Sequence, residues 1–506
     1  MLVFYPSDMI YCPYECENKE VIMQKEGADS MNYTMLTDFY ELTMANGYLK
    51  EGMGEKIAYF DMYFRQAPDG AGFAIMAGVE QLIAYLENLK FTAEDIDYLR
   101  GKGIFDEAFL RYLEDFRFSC DVWAVPEGTP IFPNEPIVTV RGPLIQAQFL
   151  ETMILLTVNH QSLIATKSNR IVRAAGDIPV MEFGSRRAQG YDGAIYGARA
   201  AYIGGVCGTA CTISDQMFHV PALGTMAHSW VQSFDTELDA FKAYAKAYPD
   251  NCTLLIDTYN VLKSGLPNAI RTFDEVLKPL GIKNCGIRID SGDITYLTRK
   301  CRKILDDAGW ESAKIVISNS LDEYIIRDIL QQGARIDSFG VGERLITSKS
   351  EPVFGGVYKL VAIEEDGAIQ PRIKVSENVA KITTPYFKKV YRLYAKDTQM
   401  AIADVLTTYD EKIDDTKPYE IFDPRNTWKR KTVTDFWAEP LQVPIFKDGV
   451  CVYQSPTLEE IRGYAKEKLA TIWDEVKRFE NPHEYYVDLS QKLWDIRYAL
   501  LSQYSR

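Results

Sequence analysis

A chain of 506 residues and 57.6 kDa can bury a large core, and its length suggests two to four domains or one large barrel with additions. The 47% apolar content is that of a soluble globular protein. A net charge of −15 and an isoelectric point near 5.0 argue against non-specific affinity for nucleic acid or an anionic membrane. Any phosphate-handling pocket therefore has to come from particular arginines, lysines and backbone amides rather than from the overall field.

Residues 1–30 show no sustained period and are read as an extension ahead of a natural start at Met31; their opening, MLVFYPSDMIYCPY, lacks the basic n-region of a signal peptide. The nine cysteines are scattered and odd in number, as free thiols in a reducing cytosol would be, which places the protein in the cytoplasm. Two C-x3-C pairs, Cys12/Cys16 and Cys207/Cys211, lack the histidines and the double-pair spacing of a structural zinc site. The best apolar run, 144–158, is interrupted by Gln146, Gln148 and Glu151 and is too short to span a bilayer.

In chain order, Thr37 or Asp38 caps a helix with Leu42, Met44 and Ala45 as its buried stripe, and Tyr40 lies on it. Residues 56–64 alternate as a strand, 78–89 form an amphipathic helix, and 121–141 carry hairpin chemistry broken by prolines. Residues 144–175 are helical, with Lys167, Arg170 and Arg173 recurring every third residue as a solvated basic face. These elements suggest an N-terminal α/β domain over 31–175.

From 176 to 356 the pattern changes to short apolar runs that end in polar, charged or glycine residues, at 178–183, 201–210, 225–231, 252–259, 285–293, 314–320 and 336–345. Helical stretches separate most of them. Repeated βα units imply parallel strands and an irregular TIM-like α/β barrel, whose C-terminal rim would gather Arg186, Arg187, Thr209, His228, Asp257, Arg288, Asp290, Asp293, Ser318, Asn319, Gly340 and Gly342. Arginine offers a forked donor to carboxylate or phosphate, aspartate can hold Mg²⁺ or orient a histidine, and glycine lets backbone amides approach a phosphate. Gly355 and Gly356, beside Lys359, could serve in the same way. The remaining residues, 357–506, add a β-like stretch at 400–407 and helices at 457–479 and 490–503, completing the second domain without assigned chemistry.

The motifs TDFYELTMANGY (37–48), VPEGTPIFPNEPI (125–137), EFGSRRAQG (182–190), GTMAHSW (224–230), LLIDTYN (254–260), RIDSGD (288–293), FGVGERLIT (339–347) and FGGVYKLVA (354–362), in this order, resemble the nicotinate phosphoribosyltransferase family. The resemblance implies an enzyme that makes nicotinate mononucleotide from nicotinate and 5-phosphoribosyl 1-pyrophosphate for NAD salvage, assisted by ATP and Mg²⁺. It also implies a barrel joined to a second α/β domain of N- and C-terminal segments, working as a homodimer. It makes His228 the histidine phosphorylated by ATP and Asp257 the residue that orients it or binds Mg²⁺. Asp290 is then a second metal contact. Arg186, Ser229 and Arg288 hold substrate, Tyr40 stacks on the pyridine ring from across the dimer interface, and Gly340, Gly342, Gly355 and Gly356 cradle the 5′-phosphate. Ala210 stands where relatives using nicotinamide have an aspartate, so no carboxylate there repels nicotinate. The chain departs from the family pattern at Glu343, where threonine is usual, and at Tyr386, where glycine is usual. A nicotinamide- or quinolinate-specific relative, or a non-catalytic nucleotide-binding barrel, is the alternative.

Overall fold

Six parallel strands build the catalytic half of the molecule, and their order explains where an opening is left. The sheet runs Gly208–Thr209, Val180–Glu182, Ser338–Val341, Lys314–Asn319, Cys285–Ile289, Cys252–Leu255, with every pairing parallel. Cys252–Leu255, Cys285–Ile289, Lys314–Asn319 and Ser338–Val341 pair in chain order, and the last returns to Val180–Glu182, so the sheet curls toward a barrel. It stays open between Gly208–Thr209 and Cys252–Leu255. The computed structural model describes residues 32–378 and 381–504; the expected extension, with Cys12 and Cys16, lies outside them.

The opening falls where the run 225–231 was expected to supply a strand, and this expectation is corrected. Residues 223–227 have no regular structure and His228–Gln232 is a single helical turn. Pro221 and Gly224 interrupt pairing, which is reduced to one bridge between Thr209 and Ala222. Met226 and Val231 are buried five residues apart, which breaks strand alternation, and the half-buried Trp230 donates from Nε1 to Ala240 O at 3.0 Å. The run 201–210 begins as the end of the helix Gly190–Ile203 and narrows to a two-residue strand, Gly208–Thr209. The other strands follow the sequence closely because a sheet covered on both faces selects continuous apolar runs: Leu254, Leu255, Ile287, Ile289, Ile315 and Ile317 are all buried.

A seven-stranded antiparallel sheet joins distant parts of the chain, in the order Ala368–Pro371, Val357–Glu365, Ile57–Tyr63, Val138–Pro143, Asp121–Ala124, Val443–Lys447, Val450–Cys451. A four-stranded sheet holds Phe436–Pro440, Lys388–Ala395, Ala401–Thr408 and Val487–Leu489. The second domain is thus assembled from N- and C-terminal segments. No described helix is long and apolar enough to cross a membrane. One residue of the expected buried stripe is exposed instead: Met44 on the helix Phe39–Lys50.

The helix Glu151–Ala175 crosses behind the site, and every residue from Gln161 to Ile171 is buried. Lys167 and Arg170 are therefore not a solvated face, contrary to expectation. Lys167 Nζ lies 2.9 Å from Asp69 Oδ2 and 2.8 Å from Glu323 Oε2, and Arg170 Nε lies 2.8 Å from Glu323 Oε1. Arg173, half-buried, donates to Lys477 O. Helical spacing had grouped these cations correctly, but only partners far along the chain allow them to be buried.

Glu41, buried on the first helix, accepts from Thr152 Oγ1 at 2.5 Å and from Thr37 Oγ1 at 2.7 Å. Burial outweighs these bonds and pushes its carboxyl up to about 7. A raised folded-state value means that the contribution to stability is fully present below the ordinary carboxyl value and is lost as pH rises through about 7. Glu41→Gln should raise the urea midpoint at pH 8 and leave it unchanged at pH 4; equal shifts at both values would exclude titration of Glu41 as the cause.

Candidate active site

Arg288, near the end of strand Cys285–Ile289, is the hub of the rim. Its Nε donates to Ser318 Oγ at 2.8 Å, Nη1 to Thr225 Oγ1 at 2.9 Å and Nη2 to Asp290 Oδ1 at 3.3 Å. The guanidinium also sits over the Phe183 ring, 5.6 Å from its centroid. Ser318 in turn donates to Asp290 Oδ1. Parallel register makes this possible, because Val316 lies beside Arg288 and Ser318 stands two residues further toward the same rim.

His228 opens the helical turn in the gap of the sheet. Its Nδ1 is 3.1 Å from Thr258 Oγ1, and Nε2 is 4.0 Å from Asp290 Oδ2, with the side chain 40% exposed. The carboxylate set against the ring is therefore that of Asp290 rather than Asp257. Asp257 Oδ2 instead accepts from Asp290 N at 3.1 Å and Ser291 Oγ at 2.6 Å, while its Oδ1 is buried without a hydrogen-bond partner. Asp257 thus positions the Asp290 turn and keeps one oxygen uncommitted. No group of three or more His, Cys, Asp or Glu side chains suited to a metal occurs among the described residues. Two carboxylates with substrate phosphates are the usual set for Mg²⁺, however, and Asp257 and Asp290 fit that chemistry.

The structure brings Thr225, His228, Asp257, Arg288, Asp290 and Ser318 together by the contacts above, and distributes the other candidates around them. Arg186 and Arg187 are exposed on the 3-10 turn Ser185–Arg187, and Ser229 is exposed next to His228. Asp293 caps the helix Ile294–Asp307 by accepting from Tyr296 N, so it has a local structural role. Gly340 ends among ring atoms: a Cβ there would lie 2.5 Å from Phe183 Cδ2, so the glycine makes room for the ring beneath Arg288. Gly342 precedes the short helix Glu343–Ile346. Glu343 is turned to Lys349 Nζ at 2.6 Å, and that bond holds its carboxyl below the usual range. Tyr386 has φ +80°, the left-handed region that suits glycine.

Gly355 and Gly356 lie elsewhere, ahead of strand Val357–Glu365 in the antiparallel sheet. A Cβ on Gly356 would meet Asn159 Oδ1 at 2.2 Å. Asn159 also lines a cavity of about 460 Å³ with Tyr40, Glu151, His160, Val353 and Phe354. Burial, with the Glu151 carboxylate, pushes the Tyr40 hydroxyl up, and burial alone pushes His160 down. Tyr40 thus belongs to this cavity, Gly356 packs against its Asn159 wall, and Tyr40 makes no hydrogen bond to the rim among the described residues.

Sequence reasoning missed Thr225, Thr258, Ser291 and Glu182. Glu182, fully buried at the end of strand Val180–Glu182, accepts from Gly184 N and, at 2.6 Å, from Thr209 Oγ1. It ties two rim loops together, and burial pushes its carboxyl up. The clue was its position at a strand end; Thr258 had the same clue, directly after Asp257.

Three family models cover most of the chain: the nicotinate phosphoribosyltransferase N-terminal domain at residues 35–159, the family's main region at 178–392 and its C-terminal domain at 387–497. The chain is 44% identical over 474 residues to the nicotinate phosphoribosyltransferase of Bacillus subtilis (strain 168), covering 93% of this chain and 96% of that one. It is 34% identical to the Caenorhabditis elegans protein of the same name, covering 99% of each. The crystal structure of human nicotinic acid phosphoribosyltransferase superposes with a TM-score of 0.82 at 30% identity, covering 92% of this chain and 99% of that one. Motifs, curled parallel sheet and full-length similarity agree, and the chain belongs to the nicotinate phosphoribosyltransferase family.

Proposed function

We propose that this protein transfers the phosphoribosyl group of 5-phosphoribosyl 1-pyrophosphate to the ring nitrogen of nicotinate, releasing pyrophosphate and nicotinate mononucleotide for NAD salvage, and that ATP drives the reaction through a phosphohistidine at His228. The observation that carries this is the pairing of an accessible imidazole with the Arg288–Asp290–Ser318 network. In the tautomer whose Nδ1–H donates to Thr258 Oγ1, Nε2 keeps its lone pair toward the open rim, where a phosphoryl group can be attacked.

Arg288 supplies a forked donor for the nicotinate carboxylate, and Arg186 and Ser229 reach the same space from neighbouring loops. Ala210 leaves that carboxylate unopposed. Asp257 and Asp290 would hold Mg²⁺, which would supply charge neutralisation of the pyrophosphate. Pyrophosphate leaves as C1 of the ribose becomes oxocarbenium-like and the pyridine nitrogen closes on it, so the protein chiefly orients two anions. Gly342, ahead of the short helix Glu343–Ile346, is assigned to the 5′-phosphate, since Gly340 is taken up by the Phe183 ring and Gly355 and Gly356 lie away from the rim.

The protein works as a homodimer in this proposal. Phe39, Tyr40 and Met44 are 48%, 43% and 37% exposed on one helix, and Leu156 is 51% exposed on the helix behind it. A second copy covering this surface would receive Tyr40 as the stacking partner of the pyridine ring.

Mass spectrometry after incubation with Mg-ATP should find acid-labile phosphate on His228, and His228→Ala should lose ATP-stimulated formation of nicotinate mononucleotide. Unmodified His228 with unchanged ATP stimulation in the variant would remove the phosphohistidine from the mechanism.

A further inference from the structure

We propose that the hairpin formed by strands Tyr419–Phe422 and Arg430–Val433 carries a second ligand site, which takes a phosphorylated heterocycle of the nucleoside monophosphate class. The site uses none of the rim residues and is independent of the reaction assigned to them.

The hairpin departs from the charge of the rest of the chain. Arg425, Lys429, Arg430 and Lys431 fall within seven residues of a protein with a net charge of −15, and Trp428 between them is 75% exposed. Two of these cations are already engaged: Arg425 with Glu484 at 2.5 Å, and Arg430 with Glu420. Lys429 and Lys431 form no ion pair among the described residues. Asp423 is occupied by the hairpin itself, accepting from Arg425 N and Asn426 Nδ2, each at 2.8 Å.

Between the hairpin and residues 483–488 lies a cavity of about 440 Å³, within the range that encloses a small ligand. Lys429 and Lys431 line it together with His483, Tyr486 and Asp488. Asp488, on strand Val487–Leu489, is 5% exposed, and its side chain accepts no hydrogen bond among the described residues. Burial, reinforced by Asp423, pushes its carboxyl up to about 6. Its carboxylate faces the cavity with no protein donor among the described residues, so it is open to an N–H or O–H of a ligand. The cavity therefore offers an acceptor, a partly exposed tyrosine ring and two uncommitted ammonium groups. A nucleotide presents the matching groups: amino or hydroxyl donors, a flat ring, and a phosphate.

The test is titration calorimetry on the full-length protein with AMP, inorganic phosphate and adenosine as separate probes. AMP should bind the wild type more tightly than phosphate or adenosine does. Lys429→Ala/Lys431→Ala should weaken that AMP binding by about tenfold or more, with nicotinate turnover unchanged. Asp488→Ala should weaken AMP but not phosphate. Equal AMP affinity and stoichiometry in wild type and the double-lysine variant would assign all binding to the rim and overturn the proposal. Phosphate binding as tightly as AMP would reduce the site to a simple anion site, and no AMP binding at millimolar concentration would remove it altogether.

Discussion

Glu323→Ala should lower the free energy of unfolding by about 3–5 kcal/mol, read as a fall in the urea midpoint. Glu323 is fully buried and is the shared counter-ion of Lys167 and Arg170, which are 2% and 1% exposed. Removing it leaves two cations in the interior with reduced compensation. Lys167 keeps Asp69 and Ser350, and Arg170 keeps Tyr324 Oη at 3.1 Å, Phe479 O at 3.4 Å and the faces of the Tyr324 and Phe479 rings. Glu323→Gln retains the shape and one acceptor, and should fall between wild type and alanine. A loss below about 1 kcal/mol for Glu323→Ala would mean that water or rearrangement solvates the two cations, as for an exposed pair.

Arg288→Lys should reduce kcat/KM for nicotinate by about 10³-fold while leaving the urea midpoint within the range of a partly exposed substitution. One guanidinium serves Ser318, Thr225 and Asp290 from three separate nitrogens, and a single ammonium cannot reproduce that fork. Loss of the fork releases Asp290, the carboxylate nearest His228 Nε2, so ATP-stimulated turnover should fall along with the basal transfer. Activity within threefold of wild type would show that neither the fork to Ser318, Thr225 and Asp290 nor a substrate contact from Arg288 matters to turnover.

Legibility in the sequence followed burial symmetry. Strands Cys252–Leu255, Cys285–Ile289 and Lys314–Asn319 were readable because both faces are covered, so each is an apolar run that ends where polar groups meet the rim. The run 225–231 looked equally strand-like, yet Pro221 and Gly224 leave it unpaired, and seven residues are too few to separate a period of 2 from a helical turn. Lys167 and Arg170 were misread for a different reason. A helix pattern shows which residues share a face but not what the face meets, and Glu323 lies 153 residues beyond Arg170. The resemblance implies Asp257 as the residue that orients His228 or binds Mg²⁺; in the structure Asp290 is the carboxylate 4.0 Å from the imidazole, and Asp257 accepts from Asp290 N and Ser291 Oγ.

The sequence by itself determined the family, the parallel βα order and the chemical types at the rim, because these depend on residue identity and short spacings. Tertiary structure alone decided that the barrel stays open at His228, that Thr258 takes Nδ1 and leaves Nε2 toward Asp290, that Gly340 makes room for Phe183, and that three charges of the long helix network are buried. Each of these depends on separations of a few ångströms between groups far apart in the chain. Sheet register and helix rotation set those separations, and no local pattern of residues contains them.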